Sequence, residues 1–191
     1  MAEIALFHHA QGLTTGVLDF AEVLRRAGHT VHTPDFYDGQ VFDNLEEGLD
    51  YARKNGFDTV LGRAEAAVDA LPDALVYAGF SLGVMAAQKL AQTRPGARGA
   101  LLYESFVPPS EFGEWPQGVP VQIHGMDRDP FFAGEGDLDA ARAFVDGSAD
   151  AELFVYPGEV HLFSDNSLRT YDEAQAAVLR ERTLAFLRGI G

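Results

Sequence analysis

The chain contains no cysteine. Disulfide cross-links, thiolate metal sites and a cysteine nucleophile are therefore excluded, and any covalent chemistry has to use another side chain. Basic residues are scarce: 14 Lys and Arg stand against 29 Asp and Glu, a formal charge of -15 at pH 7. That excess of negative charge repels phosphate backbones and anionic headgroups, so neither nucleic acid nor membrane is an expected partner. Long apolar runs are also missing; no stretch approaches the roughly 20 apolar residues that a membrane-crossing helix needs. The opening residues Met1-Ala2-Glu3-Ile4-Ala5-Leu6-Phe7 show no basic leader and no cleavage-like site, which makes a soluble cytoplasmic protein the expectation.

What is present is apolar material for one core. Hydrophobic residues make up 47% of 191, and the length is short for two ordinary domains, so one domain over residues 1–191 is expected. Brief apolar runs recur at Ile4 to Phe7, Thr30 to His32, Ala74 to Tyr77, Ala100 to Tyr103, Val119 to Ile123 and Leu153 to Val155. Strands covered on both faces read this way. Helical spacing occupies the intervals: Val17 to Arg26, Leu45 to Asn55, Thr59 to Leu71, Leu82 to Thr93, Leu138 to Val145 and Tyr171 to Leu187. Strand and helix in alternation predict an α/β fold, a three-layer α/β/α sandwich around a mainly parallel, doubly wound sheet.

One motif carries chemistry. Gly79-Phe80-Ser81-Leu82-Gly83 is a G-x-S-x-G match that follows an apolar strand and opens a helix, the context in which a nucleophilic serine sits on a sharp strand-to-helix turn. Residues two before and two after such a serine must be tiny, because strand and helix backbones approach closely there. Five-residue patterns with two glycines also arise by chance in a chain with 20 Gly, but the flanking strand and helix argue against that here. The helix start adds free amides and a positive dipole end, so the Leu82 N–H is the natural first oxyanion donor.

A serine hydroxyl at its free pKa is a poor nucleophile and needs a histidine base fixed by a carboxylate. In this fold the chain order is serine, acid, histidine. Only His124 and His161 follow Ser81; His124 ends a strand, whereas His161 lies in the loop between the last strand and the last helix. His161 is the expected base. The loop Gly125-Met126-Asp127-Arg128-Asp129-Pro130 offers two aspartates, and spacing favours Asp129 over Asp127 as the acid.

These segments together give the chain a family likeness. Ala27 to Gly39, with its Pro34-Asp35-Phe36-Tyr37-Asp38-Gly39 signature, the Ser81 turn, Asp129-Pro130 and Tyr156-Pro157-Gly158 before His161 resemble the dienelactone hydrolase family of α/β-hydrolases over nearly the whole length. The resemblance implies a compact hydrolase fold without a large cap, a serine-nucleophile variant of the family, and cleavage of small carboxylic esters or lactones through an acyl-enzyme. It also implies a second oxyanion donor in the loop His8-His9-Ala10-Gln11-Gly12-Leu13, assigned to the Ala10 N–H. Besides Ser81, which stands where the founding members carry a cysteine nucleophile, two positions depart from them: His9 stands where they carry a glutamate, and Asp165 where they carry an arginine that holds substrate carboxylate. Dienelactone itself is not the expected substrate, and Arg128 is the only arginine expected near the mouth.

Phe106, Trp115, Phe131, Phe132 and Phe163 fall in loops expected at the active-site edge, where they would bind an apolar acyl or alcohol group or else seal the rim of the core. No metal or organic cofactor is expected, His8-His9 adjacency notwithstanding. The partner is then a small ester or lactone, and the assembly a monomer or simple homodimer. Other classes stay in view: a non-catalytic binding protein with a hydrolase fold, a phosphate-cradling flavodoxin-like protein, and a hydrolase of thioester, amide or C–C bonds.

Overall fold

A computed structural model describes residues 1–190. Six strands, β1 (Glu3–Phe7), β2 (Thr30–His32), β3 (Val76–Phe80), β4 (Gly99–Tyr103), β5 (Val121–Met126) and β6 (Ala151–Tyr156), form one sheet in the order β2-β1-β3-β4-β5-β6. Every neighbouring pair is parallel. Parallel neighbours need crossovers: α1 (Thr15–Arg26) joins β1 to β2, α2 (Leu45–Asn55) and α3 (Phe57–Ala66) join β2 to β3, α4 (Leu82–Thr93) joins β3 to β4, and α5 (Asp137–Asp146) joins β5 to β6. The β4–β5 connection holds only a short 3-10 turn at Pro109–Glu111, and α6 (Glu173–Ile190) follows the last strand.

Alternation along each strand sends side chains to two separate cores. Ala5, Phe7, Tyr77, Ala100, Leu102, Val121 and Ile123 pack beneath α2, α3, α4 and α5. Ile4, Leu6, Val76, Ala78, Leu101 and Tyr103 pack on the other face beneath α1 and α6. The result is the doubly wound three-layer sandwich expected from the alternation of elements.

Three strands run further than their apolar stretches suggest, β6 among them, from Ala151 rather than Leu153 and on to Tyr156. β3 continues to Phe80 because it is paired on both sides, Gly79 opposite Phe7 and Leu102. β5 begins after Pro120, which has no N–H to give a ladder, and continues past His124 to Met126 opposite Tyr156. Helix α3 is shorter than its periodic pattern, ending at Ala66 where the chain passes into successive turns through Leu71.

The winding direction reverses between β1 and β3: the chain leaves β1 for β2 on one side, then returns to lay β3 on the other. At such a switch point the loops leaving the carboxyl ends of the two strands diverge and open a crevice. The loops in question are His8 to Thr14, after β1, and the turn at Ser81, after β3.

Candidate active site

Ser81 sits between β3 and α4 at φ 46, ψ -113, a left-handed backbone that a non-glycine residue adopts only under constraint. The constraint is local. Its N–H donates to the Tyr103 carbonyl at 2.8 Å, and its own carbonyl accepts from Val84 N–H at 2.8 Å. A Cβ on Gly83 would lie 2.5 Å from the carbonyl oxygens of Phe7 and His8, and one on Gly79 would collide with the Gly83 carbonyl. Both glycines are therefore required for α4 to start this close to β1 and β3.

The Ser81 hydroxyl faces His161. Nε2 of His161 lies 2.8 Å from Ser81 Oγ, and Nδ1 lies 2.7 Å from Asp129 Oδ2. Asp129 is fully buried, and its other oxygen, Oδ1, accepts from the backbone N–H groups of Phe131 and Phe132. With Oδ2 a carboxylate acceptor, Nδ1 carries the ring proton and Nε2 presents its lone pair to the serine. Asp127 lies elsewhere: it is exposed and accepts from Gly158 N–H at 3.0 Å, which ties the β5 loop to the β6 loop.

The backbone N–H groups of Leu82 and Ala10 have no protein acceptor among the described residues. Leu82 is the first residue of α4, where backbone N–H groups have no intrahelical partner. Ala10 is fully buried in the loop after β1, held from behind by α2, where a side chain on Gly48 would strike the Ala10 carbonyl.

The two departures from the founding pattern form one feature. His9 Nε2 and Asp165 Oδ2 are 2.8 Å apart and both buried, although they are 156 residues apart in sequence. Thr14 donates to the same oxygen, and Ser167 donates to Oδ1 through both its N–H and its hydroxyl. Burial works to raise the Asp165 pKa, but the hydrogen bonds from His9, Ser167 and Thr14 hold it below the usual carboxylate range. This cluster pins the Ala10 loop to the loop that carries His161.

A cavity of about 290 Å³ opens on Ser81. Leu45, Leu49 and Arg53 of α2 form one wall, Leu82 and Met85 of α4 the floor, and Phe131, Glu135 and Asp137 the opposite wall. Beyond His161 and Phe131 lies a wider groove of about 940 Å³ bounded by Leu45, Pro130, Val160 and Leu168. The Phe131 ring stands between the two spaces with its centroid 4.7 Å from that of His161.

Of the aromatics expected at the substrate edge, Phe131 alone lines these spaces. Phe106 is fully buried and stacks on Phe144 at 5.3 Å; Trp115 leans on the same ring and donates its indole N–H to the Val119 carbonyl. Phe163 packs on Tyr156 in the core beneath α6, and Phe132 fills the space left by Gly125. Phe106, Phe132 and Phe163 are core residues and Trp115 is half-buried against the core, because the loops that bear them fold inward over the sheet ends. Arg128 is exposed and outside the pocket lining, whereas Arg53 is in it.

Glu104 is a site residue that the sequence does not single out. It follows β4 at φ 65, is 1% exposed, and lines the pocket with Ser81 and His161. Burial pushes its carboxyl up to about 7, with His161 nearby opposing the rise and Asp129 adding to it. Its one available signal is a charged residue placed directly after a fully apolar strand, beside the strand that leads to Ser81. Among the described residues no three His, Asp or Glu side chains gather as a metal site.

Solved structures share this architecture. A dienelactone hydrolase-like promiscuous phosphotriesterase from metagenomic libraries superposes with a TM-score of 0.78 at 19% identity, over 100% of this chain and 87% of its own. Esterase PE8 gives 0.69 at 19% identity over 100% and 93%, and esterase 2 of Thermogutta terrifontis 0.65 at 17% identity over 100% and 83%. No curated protein sequence matches the chain. A model of the dienelactone hydrolase family matches residues 2–191, and the chain belongs to that family of α/β-hydrolases.

Proposed function

We propose that the protein is a serine hydrolase that cleaves small carboxylic esters or lactones through an acyl-enzyme on Ser81. The observation that carries this reading is the continuous hydrogen-bonded line from Asp129 through His161 to a serine held at positive φ. Esterases among the structural relatives are consistent with it.

In this reading His161 Nε2 takes the Ser81 hydroxyl proton as Oγ bonds to the ester carbon. The carbonyl oxygen becomes an oxyanion, which the Leu82 and Ala10 N–H groups receive. Asp129 stays ionised and stabilises the imidazolium. The tetrahedral intermediate collapses as the Nε2 proton passes to the departing alkoxide, which leaves as alcohol. Water then loses a proton to Nε2, attacks the acyl carbon, and the acid departs as Ser81 recovers its proton. The spaces on either side of Phe131 give room for the acyl and alcohol portions.

Hydrolysis of short-chain p-nitrophenyl esters tests the reading. Wild type should turn them over, and Ser81→Ala and His161→Ala should each lose about 10³-fold or more in kcat while melting as folded proteins. Near-wild-type turnover in both variants would refute the mechanism.

A further inference from the structure

Glu104 has no task in the steps above, and its environment is costly. Its carboxyl lies in the interior beside Asp129 and His161, on a residue whose backbone is left-handed. Oε1 accepts from the N–H and the hydroxyl of Ser164, at 3.3 and 3.1 Å. Oε2 is buried with no hydrogen-bond partner among the described residues. A buried, unpaired carboxyl oxygen is unfavourable, and so is left-handed backbone at a residue with a Cβ. A glycine would remove both costs. Retained beside a nucleophile, such a group is accounted for by a ligand that completes its hydrogen bonding.

The rest of the cavity says what kind of ligand. Its wall carries two further carboxylates, Glu135 and Asp137, and one cation, Arg53. The Arg53 guanidinium is already paired with Asp50 at 2.7 Å. Asp137 Oδ2 accepts from the Ser105 hydroxyl and from Phe106 N–H, so Ser105 has spent its donor too. A substrate entering here meets acceptor oxygens and net negative charge. An anionic group would be repelled, and a positively charged donor would be attracted.

We propose that Glu104 is the specificity-determining residue of this pocket and that the substrate carries a positively charged nitrogen on the portion that enters it. The proposal rests on Ser81 being the nucleophile. A protonated amine on that portion would donate to Glu104 Oε2, while Glu135 and Asp137 add long-range attraction.

The test compares esters of similar size that differ in charge, by pH-stat at pH 8, above the pH at which Glu104 gives up its proton. On the acyl side these are methyl 3-aminopropanoate, methyl butyrate and monomethyl succinate; on the alcohol side, 2-(dimethylamino)ethyl acetate, which carries one N–H when protonated, and its neutral isostere 3-methylbutyl acetate. In wild type, the cationic member of at least one series should exceed its neutral isostere in kcat/KM by about tenfold or more, and the succinate should fall below butyrate by a similar factor. In Glu104→Gln the cation-to-neutral ratio should drop to within about threefold of unity. A ratio of rates is independent of how much variant folds. Equal rates across charge in wild type, or a preference undiminished in Glu104→Gln, would overturn the proposal. If no ester is cleaved, the ester reading fails on its own. Calorimetric titration of wild type and Glu104→Gln with propylammonium and propionate then decides the charge preference. Propylammonium binding weakened in the variant supports the proposal; no preference over propionate overturns it.

Discussion

Asp129→Asn is the substitution whose outcome follows most directly from the hydrogen bonds around the site. Asparagine matches aspartate in shape, but its two terminal atoms are not equivalent, and the surrounding backbone chooses between them. Oδ1 accepts from the N–H groups of Phe131 and Phe132, so the amide oxygen must take that position. The amide nitrogen then faces His161 Nδ1, 2.7 Å away in the wild type. Two donors cannot share that contact, so His161 moves its proton to Nε2 and presents a donor to Ser81 where it needs an acceptor. Wrong-tautomer substitutions of this kind in serine triads cost about 10⁴-fold in kcat, or about 5 kcal/mol of barrier. Losing the charge from buried hydrogen bonds should lower stability by about 1–3 kcal/mol, a fall in Tm of about 2–12 °C at this chain length. Steady-state kinetics on a p-nitrophenyl ester, with a melting curve on the same preparation, measures both. A loss of less than about tenfold in kcat from a folded variant would refute the reasoning. Asp127→Asn, at an exposed residue whose side chain accepts one hydrogen bond, from Gly158 N–H, should keep kcat within about threefold.

Other outcomes follow from the same structure. Gly83→Ala places a methyl group 2.5 Å from two backbone carbonyl oxygens, so chemical denaturation should show a loss of roughly 2–3 kcal/mol as α4 is pushed off β1. Glu104 keeps its proton to about pH 7 in the fold, while the unfolded chain releases it near 4.5. Wild-type stability should therefore fall as pH rises through that window, by roughly 3 kcal/mol in all, and urea titrations of Glu104→Gln should lack that component of the slope. Burial lowers the His124 pKa to about 3, so the unfolded chain takes up a proton below pH 6.5 that the fold refuses. Stability is lost on acidification, and His124→Phe should reduce that acid slope by about 1.4 kcal/mol per pH unit between pH 4 and 6, read from denaturation midpoints.

Much of this architecture is written in local pattern. The bounds of α2 and α4 coincide with their apolar periodicity, because Asn44 caps one and the Ser81 turn starts the other. Ser81, Asp129 and His161 could be singled out because each lies at a strand end, and the chemistry fixes their order along the chain. What the pattern conceals depends on contacts between distant residues. Glu104 reads as a solvated residue closing a strand until Ser164, 60 residues away, is folded over it. Arg53 reads as a cation suited to a helix end, and nothing local says that α2 turns it toward Ser81. His9 and Asp165 look like unrelated departures until the fold brings them into contact. Loop aromatics such as Phe106 and Phe131 are alike in sequence, and only the path of each loop decides which one sees substrate.

The central claim is that Ser81 is an activated nucleophile, and covalent labelling tests it most directly. The purified protein is incubated with a fluorophosphonate probe, and intact mass and the labelled peptide are read, with Ser81→Ala and His161→Ala as controls. The account requires one adduct per chain, on Ser81, absent from Ser81→Ala and slowed by about 10³-fold or more in His161→Ala. A wild-type sample that is folded by near-ultraviolet circular dichroism yet takes no label, or takes it at another residue, would contradict the account and leave a hydrolase fold without an activated serine.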